Sequence, residues 1–324
     1  MTIKAALHLI ENSHRIALIA HVQPDGDAIG SCLALAETLK ETGRIIDIYC
    51  QDEIPVFLHF LKGAVNIKKK NQDISTYDLG IAIDCSDEER MGTCIDIFKS
   101  AKNTMNIDHH ISNTYFAMLN IVDHKAAATG EIVYKILRLL DNKKIIRKPV
   151  AEALYTAISA DTGGFRYRNT TAESYRIAAE LVECGIDVEY ITDKLYKTNS
   201  IERIRLLEKA LGSLTLYNNN QIAIISITQK DLAVTGAKEY EIENMVNYAK
   251  DIVGVKIGIL MKEANDGSVR VSFRSKDEID VSRLAEQYGG GGHKAAAGTT
   301  IRMSMERARD AILESAIELL REQI

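Results

Sequence analysis

The chain lacks the features that would tie it to a membrane, an oxidising compartment or a long nucleic acid. No stretch of its 324 residues approaches the roughly 18 to 20 apolar residues in a row that a membrane span needs. The apolar part of the leading segment MTIKAALHLIENSHR is too short for a secretory leader, and the residues behind it are too polar. A cytoplasmic location and no membrane partner are the expectation. The five cysteines (Cys32, Cys50, Cys85, Cys94, Cys184) are odd in number, scattered and in no C-x-x-C pair, so neither a disulfide framework nor a thiolate zinc site is indicated. A basic balance is missing as well. The formal net charge is -5, whereas proteins that hold long nucleic acid do so through many cation to phosphate contacts. Long duplexes are therefore not expected as partners, and any nucleic-acid substrate should be short. No Ser or Cys sits in a nucleophile-elbow context, and no internal repeat or low-complexity tract is visible.

What is present is a composition of 46% hydrophobic and 26% charged residues, enough to bury a sizeable core in about two domains. From His14 to about Gly185, strand-like runs (RIALIA, IIDIYC, DLGIAID, NTMNID) alternate with helical segments such as AIGSCLALAETLKETG and TGEIVYKILRLLDN. Such alternation predicts an α/β fold, a mostly parallel sheet with flanking helices, over residues 1–186. Pro149 is placed to start a helix leading to Asp161, and Thr171 to cap the helix that follows. Residues 187–211 read as consecutive helices without a Pro/Gly-rich spacer, a helical connector. Beyond them QIAIISIT, IVGVKIGILMKE and GSVRVSFRS, with a hairpin turn at Asn265-Asp266-Gly267, predict a smaller α+β domain over residues 212–324 that ends in an amphipathic helix.

Acidic and histidine side chains stand where the apolar runs stop. His21, Asp25 and Asp27 follow IALIA, Asp84 follows LGIAI, and Asp108-His109-His110 follow the run ending at Ile107. In an open parallel sheet the crevice beyond the carboxyl ends of the strands binds ligands, so these residues are expected to converge, with Asp161 as a fourth contributor. Two histidines, His21 and His109, with Asp25, Asp27, Asp84 and Asp161 make a nitrogen and oxygen donor set that suits Mn²⁺, with Mg²⁺ or Co²⁺ as substitutes. Four carboxylates balance two divalent cations, which leaves the site able to admit an anion. In the second domain, Gly290, Gly291 and Gly292 before His293 would let backbone amides approach a phosphate closely. Each feature alone has a plainer reading: an Asp at a strand end is commonly a turn or cap residue, and Arg274 alone could be a surface ion pair. The joint pattern at four ordered places favours the site.

These residues also carry a family resemblance. His21-Val-Gln-Pro-Asp25-Gly-Asp27, Asp84, Asp108-His109-His110 and Asp161-Thr-Gly resemble the four motifs of the DHH phosphoesterase superfamily, and GGGGHKAAAG (Gly289 to Gly298) resembles the signature of its DHH-associated carboxy-terminal domain. The layout is most similar to the stand-alone nanoRNase group, which combines short-oligoribonuclease and 3'-phosphoadenosine-5'-phosphate (pAp) phosphatase activities. The resemblance implies one cation on His21, Asp25 and Asp84, and a second on Asp27, Asp84, His109 and Asp161, with Asp84 bridging. It implies further that His110 faces the substrate phosphate, that Asp108 supports the histidines, and that Arg274 and His293 grip the substrate. Ile111 departs from the pattern, since many relatives have proline there. The implied activity is hydrolysis of short RNA or a mononucleotide bisphosphate to 5'-mononucleotides by water activated between two cations, with Mn²⁺ as the ion and a homodimer allowed. The alternatives are a phosphodiesterase of cyclic dinucleotides or linear products such as pApA, and, ranked lower, a non-catalytic nucleotide sensor.

Overall fold

The computed structural model describes residues 3–70, 76–140, 146–276 and 279–323. It divides the chain into two compact units, Met1–Thr198 and Asn199–Ile324. The division falls inside the stretch read as a connector, because its first helix, Val188–Thr192, packs in the first unit and its last, Ile201–Gly212, buries Leu206 and Ala210 in a core of the second.

The first unit is built on five strands: β1 (Arg15–Ala20), β2 (Ile45–Tyr49), β3 (Leu79–Ile83), β4 (Asn103–Asp108) and β5 (Leu119–Val122). All pair in parallel, in the order β2-β1-β3-β4-β5. Ile16, Leu18 and Ala20 of β1 enter one core cluster and Ala17 and Ile19 enter another on the opposite face, which is why this strand reads as an uninterrupted apolar run. β5 escaped the sequence reading. Its four residues lie at the sheet edge, where only Leu119 and Ile121 are buried, and so short a run leaves little pattern to detect.

Among the described residues, seven α-helices accompany this sheet: α1 (Ile3–Glu11), α2 (Gly26–Lys40), α3 (Ile95–Ser100), α4 (Thr129–Leu140), α5 (Lys148–Asp161), α6 (Ala172–Glu183) and α7 (Val188–Thr192). Pro149 stands in the first turn of α5, and Thr171 caps α6 in a reciprocal bond pair with Ser174. Twelve of the fifteen residues of α2 are buried. Glycine makes this burial compatible with close helix packing: a Cβ on Gly30 would lie 2.4 Å from the Ala153 carbonyl oxygen, and one on Gly26 would lie 2.6 Å from Ala160 Cβ.

The second unit holds a six-stranded sheet. Its strands are β6 (Thr215–Tyr217), β7 (Ile222–Ile227), β8 (Ile257–Glu263), β9 (Val269–Ser275), β10 (Gly291–His293) and β11 (Ala296–Ile301), in the order β10-β11-β9-β8-β7-β6. Among the described strands of this sheet only β7 and β8 pair in parallel. Its helices are α8 (Ile201–Gly212), α9 (Gln229–Thr235), α10 (Val246–Lys250), α11 (Ser282–Gln287) and α12 (Met305–Gln323). Val269, Val271 and Phe273 of β9 join Ala308, Ile312 and Ala316 of α12 in one core, while Ala223, Ile225 and Leu260 pack with residues of α8 and α10 in another. Among the described residues no helix is long and apolar enough to cross a membrane.

Candidate metal centre

The strand order of the first unit reverses at β1, so the crevice between the carboxyl ends of β1 and β3 is its topological switch point. The site forms there. His21 follows β1, and Asp25 is the N-cap of α2, where its Oδ1 accepts from the amides of Asp27 and Ala28, each at 3.0 Å. One turn therefore turns both Asp25 and Asp27 toward the crevice. Asp84 follows β3 with a positive φ of 59°, a conformation that Asp adopts more readily than most residues. Its amide remains tied to the Ile107 carbonyl at 2.9 Å. Asp161 is the last residue of α5.

Two clusters result, each with ligand atoms within 4.8 Å of one another: His21, Asp25 and Asp84, and Asp27, His109 and Asp161. Asp84 lies between them. Its Oδ2 is 3.5 Å from His21 Nε2, and its Oδ1 is 3.8 Å from His109 Nε2. His109 Nε2 also lies 3.1 Å from Asp161 Oδ2. Both histidines face the clusters through Nε2 because Nδ1 is engaged by the backbone: His21 Nδ1 donates to the Val22 carbonyl at 2.8 Å and His109 Nδ1 to the Ala126 carbonyl at 3.2 Å. Such a bond fixes the tautomer in which Nε2 carries the lone pair a metal requires.

Asp84 belongs also to a third group with Asp108 and His110. This one is a hydrogen-bonded pair: His110 Nδ1 donates to Asp108 Oδ1 at 2.7 Å, and Asp108 is fully buried. Its other oxygen accepts from Asn113 Nδ2 at 2.6 Å, and that amide nitrogen also reaches Asn106 Oδ1 at 2.7 Å. Asp108 thus orients the His110 ring.

Burial is the strongest single influence on these groups, and neighbouring charges either reinforce or outweigh it. Burial opposes the charged form of Asp84, yet the hydrogen bond to His21 and the charges of His110 and His109 hold its carboxyl well below the usual range. Burial pushes Asp27 well up, and the charges of Asp84 and Asp161 push it further. Asp161 is raised by burial against the pull of His109. Burial works against charge on His21, but Asp25 and then Asp84 outweigh it and lift the imidazole to about 10. His109 and His110 are raised likewise, against burial, by Asp161 and by Asp108. With two carboxyls, Asp27 and Asp161, held up and three histidines drawn toward protonation, the site is short of positive charge, and divalent cations fit that deficit and this donor set.

Several residues around the site carry no signal in a single sequence. Ser31 Oγ donates to Asp27 Oδ1 at 3.1 Å, Thr129 and Gly130 bind Asp27 and Asp84 from the start of α4, and Arg90 Nη2 lies 3.0 Å from His21 Nδ1. Hydrogen-bond donors of these types are common throughout any chain, and only proximity marks them.

In the second unit, the register places Arg274 and His293 on either side of Ala296, so both share one row across three strands with a small residue between them. The glycines divide in role. A Cβ on Gly290 would lie 2.2 Å from the Gly298 carbonyl oxygen and one on Gly292 2.6 Å from that of Ala296, so these two are required by the β10-β11 hairpin, whereas Gly291 meets nothing within 4 Å. Tyr288 is a packing residue whose hydroxyl donates to the Ala311 carbonyl at 3.1 Å.

Comparison with known proteins identifies the family. Residues 15–158 match the DHH family, N-terminal domain, and residues 213–322 the DHHA1 domain. The chain is 30% identical over 307 residues to the bifunctional oligoribonuclease and PAP phosphatase NrnA of Thermus thermophilus, covering 94% of this chain and 90% of that protein. The chain belongs to the DHH family. The NrnA protein of Bacillus subtilis is also 30% identical, with 88% of this chain and 89% of that one covered. The DHH fold recurs in a crystal structure of an exopolyphosphatase-related protein from Bacteroides fragilis, with a TM-score of 0.88, 30% identity, and 98% and 95% of the two chains covered.

Proposed function

We propose that this DHH-family protein is a metal-dependent phosphoesterase that hydrolyses short oligoribonucleotides and pAp to 5'-mononucleotides. The observation that carries this reading is the pair of clusters addressed by the two oxygens of Asp84, in a chain whose NrnA relatives are named for those two activities. His21, Asp25 and Asp84 would hold one divalent cation, and Asp27, Asp84, His109 and Asp161 the other. Mn²⁺ suits a mixed imidazole and carboxylate set better than Mg²⁺, and Co²⁺ would substitute. Such a pair, when bound, acidifies water and neutralises charge on a phosphoryl group.

The remaining work falls to the chain. Asp108 keeps His110 in the tautomer or charge state that directs Nδ1 away from substrate, so Nε2 serves the phosphate or the leaving oxygen as a hydrogen-bond partner. The amides of Thr129 and Gly130 each donate to one oxygen of Asp27 and hold its carboxylate in place. Arg274 and His293 bind substrate phosphate in the second unit, with the open backbone at Gly291 beside them. A nucleotide substrate of this kind belongs to the cytoplasm, and we place the protein there.

A side-by-side Mn²⁺ assay tests the reading with pAp, RNA from dinucleotides to long oligomers, pApA, cyclic di-AMP and pyrophosphate. Turnover of pAp and of the shortest RNAs, with 5'-mononucleotides as products, is the expected outcome. Preference for cyclic di-AMP, pApA or pyrophosphate, or equal turnover of long RNA, contradicts it.

A further inference from the structure

Thr129 opens α4 and is fully buried. Its amide donates to Asp27 Oδ2 at 2.6 Å, its hydroxyl donates to Asp84 Oδ1 at 2.7 Å, and the amide of Gly130 completes the grip on Asp27 Oδ1 at 2.9 Å. One residue therefore holds two aspartates that come from different strand ends, 57 positions apart in sequence (84 minus 27), and that belong to different clusters. We infer that Thr129 is a positioning residue for the paired metal site: its hydroxyl sets the plane of the Asp84 carboxylate, and its amide fixes where Asp27 stands relative to it. This inference rests on the metal reading above.

The physical argument concerns the rotation of a carboxylate. The plane of an Asp side chain turns about a broad, soft torsion, so nothing in the covalent structure makes its two oxygens address different partners. At Asp84 they do, with Oδ2 toward His21 and Oδ1 toward His109. A carboxylate oxygen has two lone pairs, so Oδ1 can accept the Thr129 proton and still offer the other to a cation. With the hydroxyl gone, the carboxylate is free to turn both oxygens to one cluster, which weakens the other. The surroundings are built for this contact: Ser31 Oγ donates at 3.1 Å to the same Asp27 oxygen as the Gly130 amide, and a Cβ on Gly130 would lie 2.7 Å from Ala157 Cβ, so the helix start approaches Asp27 only as glycine allows.

The test compares wild type, Thr129→Val and Thr129→Ser by calorimetric titration with Mn²⁺ alone and by electron paramagnetic resonance of the loaded proteins. Valine keeps the shape and the amide but removes the donor, and serine keeps the donor. Wild type is expected to take up two ions and to show the spectrum of a spin-coupled pair. In Thr129→Val, binding of the second ion should weaken by roughly 10- to 100-fold, the usual cost of losing an outer-shell partner, and the coupled spectrum should give way to that of isolated ions. Thr129→Ser should restore both. Should the valine variant fail to fold, Thr129→Ala removes the hydroxyl without setting a methyl against Asp84 and is read in the same way. Wild-type affinities and a coupled spectrum without the hydroxyl, or a serine variant as impaired as valine, overturn the inference. Fewer than two ions in wild type contradict the metal reading itself, and this inference falls with it.

Discussion

Asp84 combines a positive φ, nearly complete burial and two oxygens aimed at separate histidines, a costly set of conditions for a residue whose only task is to end a strand. Asp84→Ala is expected to abolish Mn²⁺-dependent hydrolysis, a loss exceeding the roughly 10- to 100-fold of outer-shell changes, while circular dichroism remains that of the folded protein. Turnover near the wild-type rate in that variant would remove the shared role of Asp84. Away from the site, Asp78 offers a test in pH. Lys102 at 2.8 Å and the amides of Arg15 and His14 hold its carboxyl down to about 2. A carboxyl depressed in the folded state adds stability above its unfolded pKa, and that contribution fades as pH falls from about 4 toward about 2. Asp78→Asn should therefore lower Tm at neutral pH and flatten the acid limb of the Tm profile, as calorimetry across that range would show; an unaltered acid limb refutes it. His21, Asp84 and the Asp108-His109-His110 triplet stood out in the sequence because each follows an apolar run, whereas Arg90 beside His21 did not. Nor did Thr129, Ser31 and Asn113, since a neutral donor looks the same wherever it occurs and acquires meaning only from its partner.

Helix α2 shows what periodicity conveys and what it omits. Its apolar spacing and the glycine beyond its end fixed its place in the sequence, but the pattern describes one buried face, whereas the helix is buried nearly all round. Small residues at Gly26 and Gly30 bring α5 close enough for that, and α5 ends in Asp161. Gly30→Ala would set a methyl 2.4 Å from a backbone oxygen that cannot move alone. It is expected to cost about 1–3 kcal/mol in urea unfolding, the usual penalty of overpacking, and an unchanged midpoint contradicts the close approach. The glycine run before His293 reads in sequence as a single phosphate-approach device, and packing divides it. Gly290→Ala should destabilise the second unit, whereas Gly291→Ala, with open space around it, should leave Tm unchanged and raise KM for pAp more than it lowers kcat. A Gly291→Ala variant with normal KM would assign the whole run to hairpin packing.

For the whole chain, the alternation of strands and helices was enough to foresee an α/β unit followed by a smaller α+β unit, because parallel strands buried on both faces give long apolar runs that stand out from their connections. The division at Thr198 was not legible. Helices on both sides of it are amphipathic and continuous in sequence, and only the cores into which Leu206 and Ile191 are buried assign them to different units. Strand order was likewise beyond the sequence, yet it decides the function, since it places the ends of β1 and β3 side by side at the reversal where Asp84 meets His21. The most direct test of the central claim is an anomalous-scattering map, recorded at the manganese edge, from crystals of the protein grown with Mn²⁺. Two peaks are expected, one among His21, Asp25 and Asp84 and one among Asp27, Asp84, His109 and Asp161, with Asp84 touching both. A map with no peak there, or a single peak that leaves Asp84 unshared, contradicts the account.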